Sequence, residues 1–577
     1  MHTTLAVLVG VWATALEPHR RGSPLSPLRQ SQSTAAPRVA MVAMRDKGDE
    51  PRRTPGGSEQ SPGVMRAATA AADEARLVAA SRRAATGASL ASFLQGYHTG
   101  VIGGALLYLS PEFGLAAQPK LMGMIVTGTT MGSVAGTASA ARLADGIGRR
   151  GTLLLASLIS LVGGLLLSTA TDPRRLALAR GVAGVAIGIS SSVVPVYIAE
   201  TAPADRRGAL AAIPQTLVSL GIFSSYLVSL IIAAFFPSLG WRAMFAASLV
   251  PASAHAAWVA LLLPESPRWL LGRGKIAEAD SSLRRLRGCT SPSTSPAASA
   301  AATAELATMH SAVAAQIKPD TTPNPKLDPA SKCRAVDASR PSPPRAGFDA
   351  LLEPWLLKRL MAVVVLQALQ QFSGINAVVY YTPQTLKDAG IPRLLSRTGL
   401  SADASALAAT CLAYAPRLPA MLLTMKLIDA LGRRTLLLLF LPAMGIAHLG
   451  LAAALASMGQ ASGVGPALAA VASICGYGIA FSLSLGPVPS ILTSELFPMR
   501  ARAAAMSLSL AAQFVCNTAV GAGFPILRSR LGAPGVFVGF AAVCALAWAF
   551  TLFWVPETKG ISLEGLAGEE EGPVGGK

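Results

Sequence analysis

The sequence predicts an all-α membrane protein whose twelve transmembrane helices form two pseudo-symmetric six-helix bundles. Three observations lead to this fold class. Of the 577 residues, 52% are hydrophobic and only 14% are charged, about half the charged share of a typical soluble protein. From about residue 86, apolar runs of roughly 20 residues follow one another, the length that crosses a bilayer as a helix. Finally, three motifs of the first half recur in the second half, in the same order.

Six apolar runs precede a polar central segment, and six follow it. The predicted spans are 87–110, 121–141, 151–171, 176–199, 209–234, 242–263, 358–381, 402–426, 435–456, 464–494, 502–527 and 534–555. They divide the chain into an N-terminal extension (1–85), a six-helix bundle (86–263), a central loop (264–357), a second six-helix bundle (358–556) and a tail (557–577).

The internal repeat shows that the two bundles are homologous. ADGIGRR returns as DALGRR, AETAPADRRGAL returns as SELFPMRARAAA, and PESPRWL returns as PETKGIS, at a nearly constant offset. Two related halves around a central path are typical of membrane transporters.

The net charge of +19 reports topology and not nucleic-acid binding, because no basic stripe interleaves with aromatic residues. The short turns between spans carry nearly equal numbers of Lys and Arg on the two sides of the membrane, so they barely favour either orientation. Residues 264–359 decide the orientation, with 14 Lys and Arg against 9 acids. The rule that basic loops stay in the cytosol then places the central loop and both termini there.

The extension and the central loop both have compositions that do not build a core. Residues 5–16 are too short to span a bilayer and resemble a signal core, while 17–45 are rich in Arg, Ser, Pro and Ala, as in organellar transit peptides. A cleaved plastid presequence and a plain disordered extension both remain open. Residues 272–350 predict a mostly mobile linker. The six cysteines form no CxxC pair, and neither a disulfide framework nor a zinc site is expected.

The turn motif Asp-x-x-Gly-Arg-Arg occurs once in each half, and we expect it to gate the cytosolic mouth. Its arginines can pair with carboxylates at neighbouring helix ends, for which Glu200 and Glu495 are the candidates, with Arg207 and Arg502 beside them. The alternative is that these residues only mark topology. The full gating set is Asp145, Arg149, Arg150, Glu200, Arg207, Asp429, Arg433, Arg434, Glu495 and Arg502.

The chain resembles a sugar transporter of the major facilitator superfamily, the sugar porter family, over residues 87–565. The matching signatures are RLADGIGRR, YIAETAPADRRG, PESPRWL, QQFSGINAVVYYTP, LIDALGRR, GPVPSILTSELFPMRAR and PETKG. LQGYHTGVIGGALLYL, LQALQQFSGINAVVYYTPQ and LPAMLLTMKLIDALGRR look most similar to plant tonoplast monosaccharide transporters. The resemblance implies the major facilitator fold, sugar transport and no cofactor.

The seventh span carries the predicted substrate site. Gln367, Gln370 and Gln371 share one helical face, Gly374 lets the helix loosen, and Asn376 follows. Side-chain amides supply neutral donors and acceptors, which suit a sugar and are costly at membrane depth without partners. The alternative is that these amides only hold helices together.

Further site residues are implied by the resemblance alone. Gln215 and Asn517 match sugar-contacting positions, Tyr380 follows the amides, and Phe514 could stack on a sugar ring. In the tenth span, Gly486, Pro487 and Pro489 predict a break that lets the helix bend as a gate, with a static kink as the alternative.

Three departures from the family pattern bear on substrate and coupling. His98 stands where proton-coupled members carry an acid, while Arg180 matches a family arginine associated with coupling. Arg417 stands where the eighth span often has a small or neutral residue, and Ser490 replaces a tryptophan common in facilitators. A guanidinium disfavours a protonated imidazole beside it. The sequence therefore favours facilitated diffusion or weak proton coupling, with a proton carried by His98 as the rival.

We expect a multi-pass membrane transporter that moves a hexose-like monosaccharide by alternating access, with protons as a second candidate cargo. Two alternatives remain open: a sugar sensor that signals through the central loop, and a tightly coupled sugar:proton symporter. The sequence contains no set of nucleophile, base and orienting residue, so it predicts no enzyme. It does not distinguish the vacuolar membrane, the plasma membrane and the plastid envelope as the location.

Overall fold

The computed structural model describes residues 62–290, 294–317, 349–396, 399–459 and 464–559. Helices α1 to α10 belong to the N-terminal half: Pro62–Glu112, Pro119–Thr169, Pro173–Thr201, Arg207–Ala211, Ile213–Phe235, Gly240–Ala246, Leu249–Leu261, Pro267–Gly272, Ile276–Arg287 and Pro296–Ile317. Helices α11 to α19 belong to the C-terminal half: Pro354–Phe372, Ile375–Asp388, Ile391–Leu394, Ala402–Tyr414, Arg417–Leu431, Arg433–Ala456, Gly465–Leu483, Val488–Leu496 and Met499–Trp554. In the described ranges the remaining residues form short 3₁₀ turns and loops.

The helices account for all twelve predicted spans. Nine helical stretches of the described chain are long and apolar enough to cross a membrane. Two of them, Pro119–Thr169 and Ala504–Trp554, have 51 residues each and hold two spans apiece. They turn at Gly148 and Gly532, where φ is 84° and 72°. With the first predicted span in the C-terminal part of α1, the all-α membrane architecture is confirmed.

Small residues let the second and fourth spans pack backbone against backbone. A Cβ atom at Gly132 or Gly136 of α2 would overlap the carbonyl oxygens of α3, and Gly184 and Gly188 of α3 face α2 in the same way. The hydroxyl of Ser133 donates to the carbonyl of Gly184 at 3.1 Å. Lipid tails are as apolar as the helices, so such close approach and interhelical hydrogen bonding drive association within a bilayer.

Among the described residues, three polar contacts join the two halves, where the fifth span meets the seventh and eighth spans and where the second span meets the eleventh. The Tyr226 hydroxyl donates to the carbonyl of Val379 at 2.6 Å. The Thr518 hydroxyl donates to that of Thr130 at 2.8 Å, and Ser219 Oγ lies 3.0 Å from the sulfur of a methionine in α15. The contact between Tyr226 and Val379 positions the seventh span beside the N-terminal half.

The first helix begins earlier than the composition predicted. We expected a disordered extension over 1–85, whereas α1 starts at Pro62; residues 1–61 lie outside the described part of the chain. The segment is rich in alanine, which favours a helix, and its Ala84 and Ala85 are buried. An ion pair between Glu74 and Arg206 ties it to the turn after α3.

The central segment also contains helices where we expected a mobile linker. Helices α8, α9 and α10 bury a small apolar core that includes Leu271, Leu283 and Leu306. Arg287 pairs with Glu305 at 2.6 Å and donates to the carbonyl of Thr201 at 2.8 Å. The sequence did not predict this small core because the alanine-rich composition of the segment hides a few leucines at helical spacing. Residues 318–348 of the predicted linker are outside the described ranges.

Candidate functional site

The seventh span breaks at Gly374, as its sequence predicted. Helix α11 ends at Phe372 and α12 begins at Ile375, and Gly374 between them has φ of 89°. A Cβ at this position would overlap the ring of Phe540, so the close approach also requires glycine. The break turns the side chains on either side of it towards each other.

Three amides form a hydrogen-bonded chain across this break. Asn376 Nδ2 donates to Gln371 Oε1 at 2.5 Å, and Gln371 Nε2 donates to Gln370 Oε1 at 2.8 Å. Both glutamine side chains are at least 97% buried. The chain, which we call the amide relay (Gln370, Gln371 and Asn376), satisfies polar groups that would be costly to bury alone.

The relay ends on the broken tenth span. Gln370 Nε2 donates to the carbonyls of Leu485 at 2.5 Å and Gly486 at 3.1 Å. These carbonyls lie between α17 and α18, where the GPVP motif interrupts the helix as predicted. Gln370 therefore supplies the partner that the interrupted backbone lacks, and its amide protons are committed to this role.

The eleventh span contributes the other side of the site. Tyr380 donates to Asn517 Oδ1 at 3.2 Å, and Gln367 Nε2 lies 3.4 Å from Gln513 Oε1. Gln367 Oε1 is buried and has no partner among the described residues. Phe514 is buried on the same helix. The structure thus brings together the predicted site residues of the seventh and eleventh spans.

Gln215 does not join this cluster. It is exposed near the start of α5, and its side chain forms no hydrogen bond with the described part of the chain. Its assignment came from the resemblance alone, and its contact with a sugar stays a prediction.

His98 and Arg180 lie buried in the N-terminal half without an acidic partner. Each side chain is 1% exposed, and the charge of Arg180 acts on His98. Arg180 Nη2 donates to the carbonyl of Val126 at 3.1 Å. Both ring nitrogens of His98, and Nε and Nη1 of Arg180, have no partner among the described residues.

The Asp-x-x-Gly-Arg-Arg motif of the N-terminal half organises one end of the bundle. Arg149 pairs with Glu200 at 2.9 Å and with Asp145 at 3.4 Å. Arg150 donates to the backbone carbonyls of Val259 at 3.0 Å and Ala260 at 2.5 Å. The motif therefore ties the turn after the second span to the ends of the fourth and sixth spans.

The second half repeats this network almost atom for atom. Arg433 pairs with Glu495 at 2.8 Å and with Asp429 at 3.6 Å, and Arg434 donates to the carbonyl of Leu552 at 2.7 Å. In both halves, the second carboxylate oxygen of the helix-end glutamate accepts a hydroxyl proton, from Ser266 at 2.5 Å and Thr558 at 2.6 Å.

The predicted carboxylate partners are correct, but the arginines beside them take no part in these pairs. Arg207 is exposed and makes no ion pair or hydrogen bond with the described residues. Arg502 donates to the carbonyl of Phe497 at 3.2 Å. Among the described residues, each ion pair of Arg149 and Arg433 joins residues of the same half. The role of these residues in gating stays a prediction.

Sequence analysis missed one carboxylate in each half, Glu265 and Glu557. The backbone amide of Arg149 donates to Glu265 at 2.9 Å, and that of Arg433 donates to Glu557 at 2.9 Å. A Cβ at the motif glycine would overlap the same carboxylate in each half. The signal was present, because both acids stand in the recurring Pro-Glu of PESPRWL and PETKGIS.

The two carboxylates have opposite shifts in pKa. Burial raises the pKa of Glu265, and the hydrogen bonds from neighbouring backbone amides only partly offset this. Burial also acts to raise the pKa of Glu557, but hydrogen bonds from the amides of Arg433, Lys559 and their neighbours outweigh it, and the pKa is lowered. Both effects are expected, since burial disfavours a charge and amide donors stabilise it.

Comparison with known proteins assigns the chain to a transporter family. The family model described as "Sugar (and other) transporter" matches residues 84–568. The chain belongs to this family. The plastidic glucose transporter 4 of Arabidopsis thaliana is 33% identical over 477 residues, covering 83% of this chain and 78% of that protein. The probable polyol transporter 4 of the same plant is 31% identical over 481 residues, 83% of this chain and 82% of the relative.

Solved structures give the same assignment. The xylose transporter XylE of E. coli, in a partially occluded inward-open conformation, has a TM-score of 0.65 and 26% identity, covering 83% of this chain and 99% of the other. This member of the sugar transporter family is therefore a multi-pass membrane transporter and not an enzyme. The finer likeness to tonoplast monosaccharide transporters stays a prediction.

Proposed function

We propose that this transporter carries a hexose-like monosaccharide across the membrane by alternating access. The amide relay supports the proposal most directly. It places neutral donors and acceptors at the break of the seventh span, facing the eleventh span, and side chains of this kind bind hydroxyls without fixing a charge.

Within the site, Gln371, Asn376 and Asn517 are the proposed hydrogen-bonding residues for the sugar. Gln367 has a buried amide oxygen without a protein partner, which suits a ligand hydroxyl. The other proposed contacts are Gln215, Tyr380 and Phe514. For Gln370 we propose a positioning role, because its amide protons are bound to the tenth span.

The two arginine networks are proposed to set the balance between inward-open and outward-open states. Each joins three helix ends of one half, and in the first half Ser266 extends it to the central helices. A half held rigid in this way moves as one body. The end that carries these networks is proposed to face the cytosol, together with the central loop.

Energy coupling is proposed to be absent or weak. His98 stands beside Arg180 in place of an acid, and an imidazole does not neutralise a guanidinium. A proton symporter can use a buried acid beside the arginine to take up and release the proton. His98 and Arg180 contain no such acid, so these two residues do not support this mechanism.

Uptake by the purified protein in lipid vesicles tests the proposal. Vesicles should accumulate labelled hexose to the external concentration and no further, and a polyol panel run beside it reports the breadth of the substrate class. Sugar binding without flux would identify a sensor and overturn the proposal. Accumulation above the external concentration that a protonophore abolishes would overturn the proposed coupling.

A further inference from the structure

Arg417 is a buried cation in the middle of a predicted span. It lies midway along the 30-residue stretch Ala402–Leu431 and is 7% exposed. A charge at this depth is costly unless a partner compensates for it. Such intramembrane cations most often mark a binding site or a transport path.

No carboxylate compensates for this charge within the described residues. Arg417 Nε donates to Ser482 Oγ at 3.1 Å. Its guanidinium carbon lies 5.1 Å from the ring centroids of both Tyr414 and Phe481. Ring contacts of this kind stabilise a cation but leave its charge in place. The two Nη groups have no hydrogen-bond acceptor in the described part of the chain.

The guanidinium lines a small cavity between the fifth, seventh, eighth and tenth spans. The cavity has about 20 Å³ of space for the centre of a water-sized particle, enough for about one such particle. Its polar lining residues besides Arg417 are Tyr226, Thr382, Thr410, Tyr414 and Tyr477. The lining includes no acid, so the site has an uncompensated positive charge.

Most hydroxyl protons of the lining are already used elsewhere. Tyr226 and Tyr477 donate to backbone carbonyls at 2.6 Å and 3.1 Å. Thr382 and Thr410 donate to carbonyls of their own helices. The donors at this cavity without a partner among the described residues are therefore the Nη groups of the arginine and the hydroxyl of Tyr414. Together they favour a small ligand that brings negative charge.

The cavity adjoins the amide relay. Tyr477 of its lining donates to the carbonyl of Ser373, and Ser373 Oγ donates to the carbonyl of Gln370 at 2.7 Å. Ile375 of the lining is the chain neighbour of Asn376. A ligand group in the cavity would thus lie beside a sugar held by the relay.

The geometry points to an anion subsite at Arg417 that binds either a carboxylate carried by the sugar or a free anion of about the size of chloride. This inference rests on the proposed function, because it concerns the same transport site. In one case the transported sugar itself carries the negative charge; in the other a neutral sugar binds beside a separate anion.

Thermal unfolding of the full chain in detergent tests the subsite. The background salt is 2-(N-morpholino)ethanesulfonate, whose anion is too large for the cavity, and ionic strength is held constant. Sodium chloride, sodium glucuronate and glucose are each titrated. At ten times its dissociation constant, a bound ligand should raise the unfolding midpoint by about 1–2 °C for a chain of this size.

A saturable rise of the unfolding midpoint with chloride would show that the subsite binds a free anion. A larger rise with glucuronate than with glucose would show that it binds the carboxylate of a charged sugar. Arg417→Gln should abolish the rise, and Arg417→Lys should retain part of it. Arg528→Gln is the control for net charge, since Arg528 pairs with Asp388 away from the cavity and the variant should respond like the parent.

Absence of any saturable anion response in the parent would overturn the inference, and this result needs no variant to fold. An equal response in Arg417→Gln would also overturn it. Hexose uptake into vesicles separates the two proposals. Uptake without an anion response leaves the transport function intact, whereas no uptake of glucose or glucuronate refutes the transport function itself.

Discussion

Replacing Gln371 with alanine should weaken sugar binding more than the loss of a single contact would. Gln371 accepts from Asn376 and donates to Gln370, so truncation leaves Asn376 unaligned as well. Each neutral hydrogen bond contributes about 0.5–1.5 kcal/mol net. The variant loses the hydrogen bond from Gln371 to the sugar and the hydrogen bond that Asn376 makes to the sugar. The binding free energy of the sugar should therefore fall by about 1–3 kcal/mol, which corresponds to a roughly 5- to 150-fold rise in the half-saturating sugar concentration.

Equilibrium exchange of labelled hexose across vesicle membranes measures this concentration. Asn376→Ala should show the smaller part of the effect, because the bond between Gln371 and Gln370 survives. Gln384→Ala is the matched control, since this amide of the same helix bonds only to Asp388 at 3.0 Å, one turn along. Parent-like half-saturation in both Gln371→Ala and Asn376→Ala would show that the sugar binds elsewhere.

Three further predictions concern gating, coupling and pH. Arg433→Ala or Glu495→Ala should shift the protein towards the inward-open state, seen as faster labelling of single cysteines introduced at the cytosolic mouth; unchanged labelling in both variants would reduce the network to a topology marker. Hexose uptake should not respond to an imposed pH gradient, and a gradient-driven accumulation lost in His98→Ala would contradict this. The lowered pKa of Glu557 means that its stabilisation is present above the unfolded pKa and is lost as pH falls through the folded one. Glu557→Gln should therefore lower the unfolding midpoint at neutral pH and flatten its decline below about pH 4.5; a parallel decline would refute the assignment.

In the proposed mechanism, the arginine networks hold each half together as one body. Both use a glycine of positive φ so that a carboxylate can lie against the turn, with φ of 84° at Gly148 and 91° at Gly432. Because the described ion pairs of Arg149 and Arg433 stay within one half, a change of state need not break them directly. Their influence on the mouth would then act through the orientation of the helix ends they hold.

The sequence by itself determined the membrane class, the span count and the two-fold repeat. Apolar length and motif recurrence are local properties, and a bilayer admits few backbone solutions. The breaks at Gly374 and at the GPVP motif were also readable, because glycine and proline act on their own backbone.

Only the tertiary structure decided which side chains meet. Gln370 reaches carbonyls more than a hundred residues away, which no spacing within the seventh span reveals. Glu265 and Glu557 accept hydrogen bonds from the backbone amides of the turn motifs. These contacts form only in the folded structure, where the chain that follows the sixth and twelfth spans packs against the turns. Likewise, the sequence marked Arg417 as a departure, but its cavity exists because four separate spans converge on it. Such contacts depend on long-range packing, and composition and periodicity report only local chain preferences.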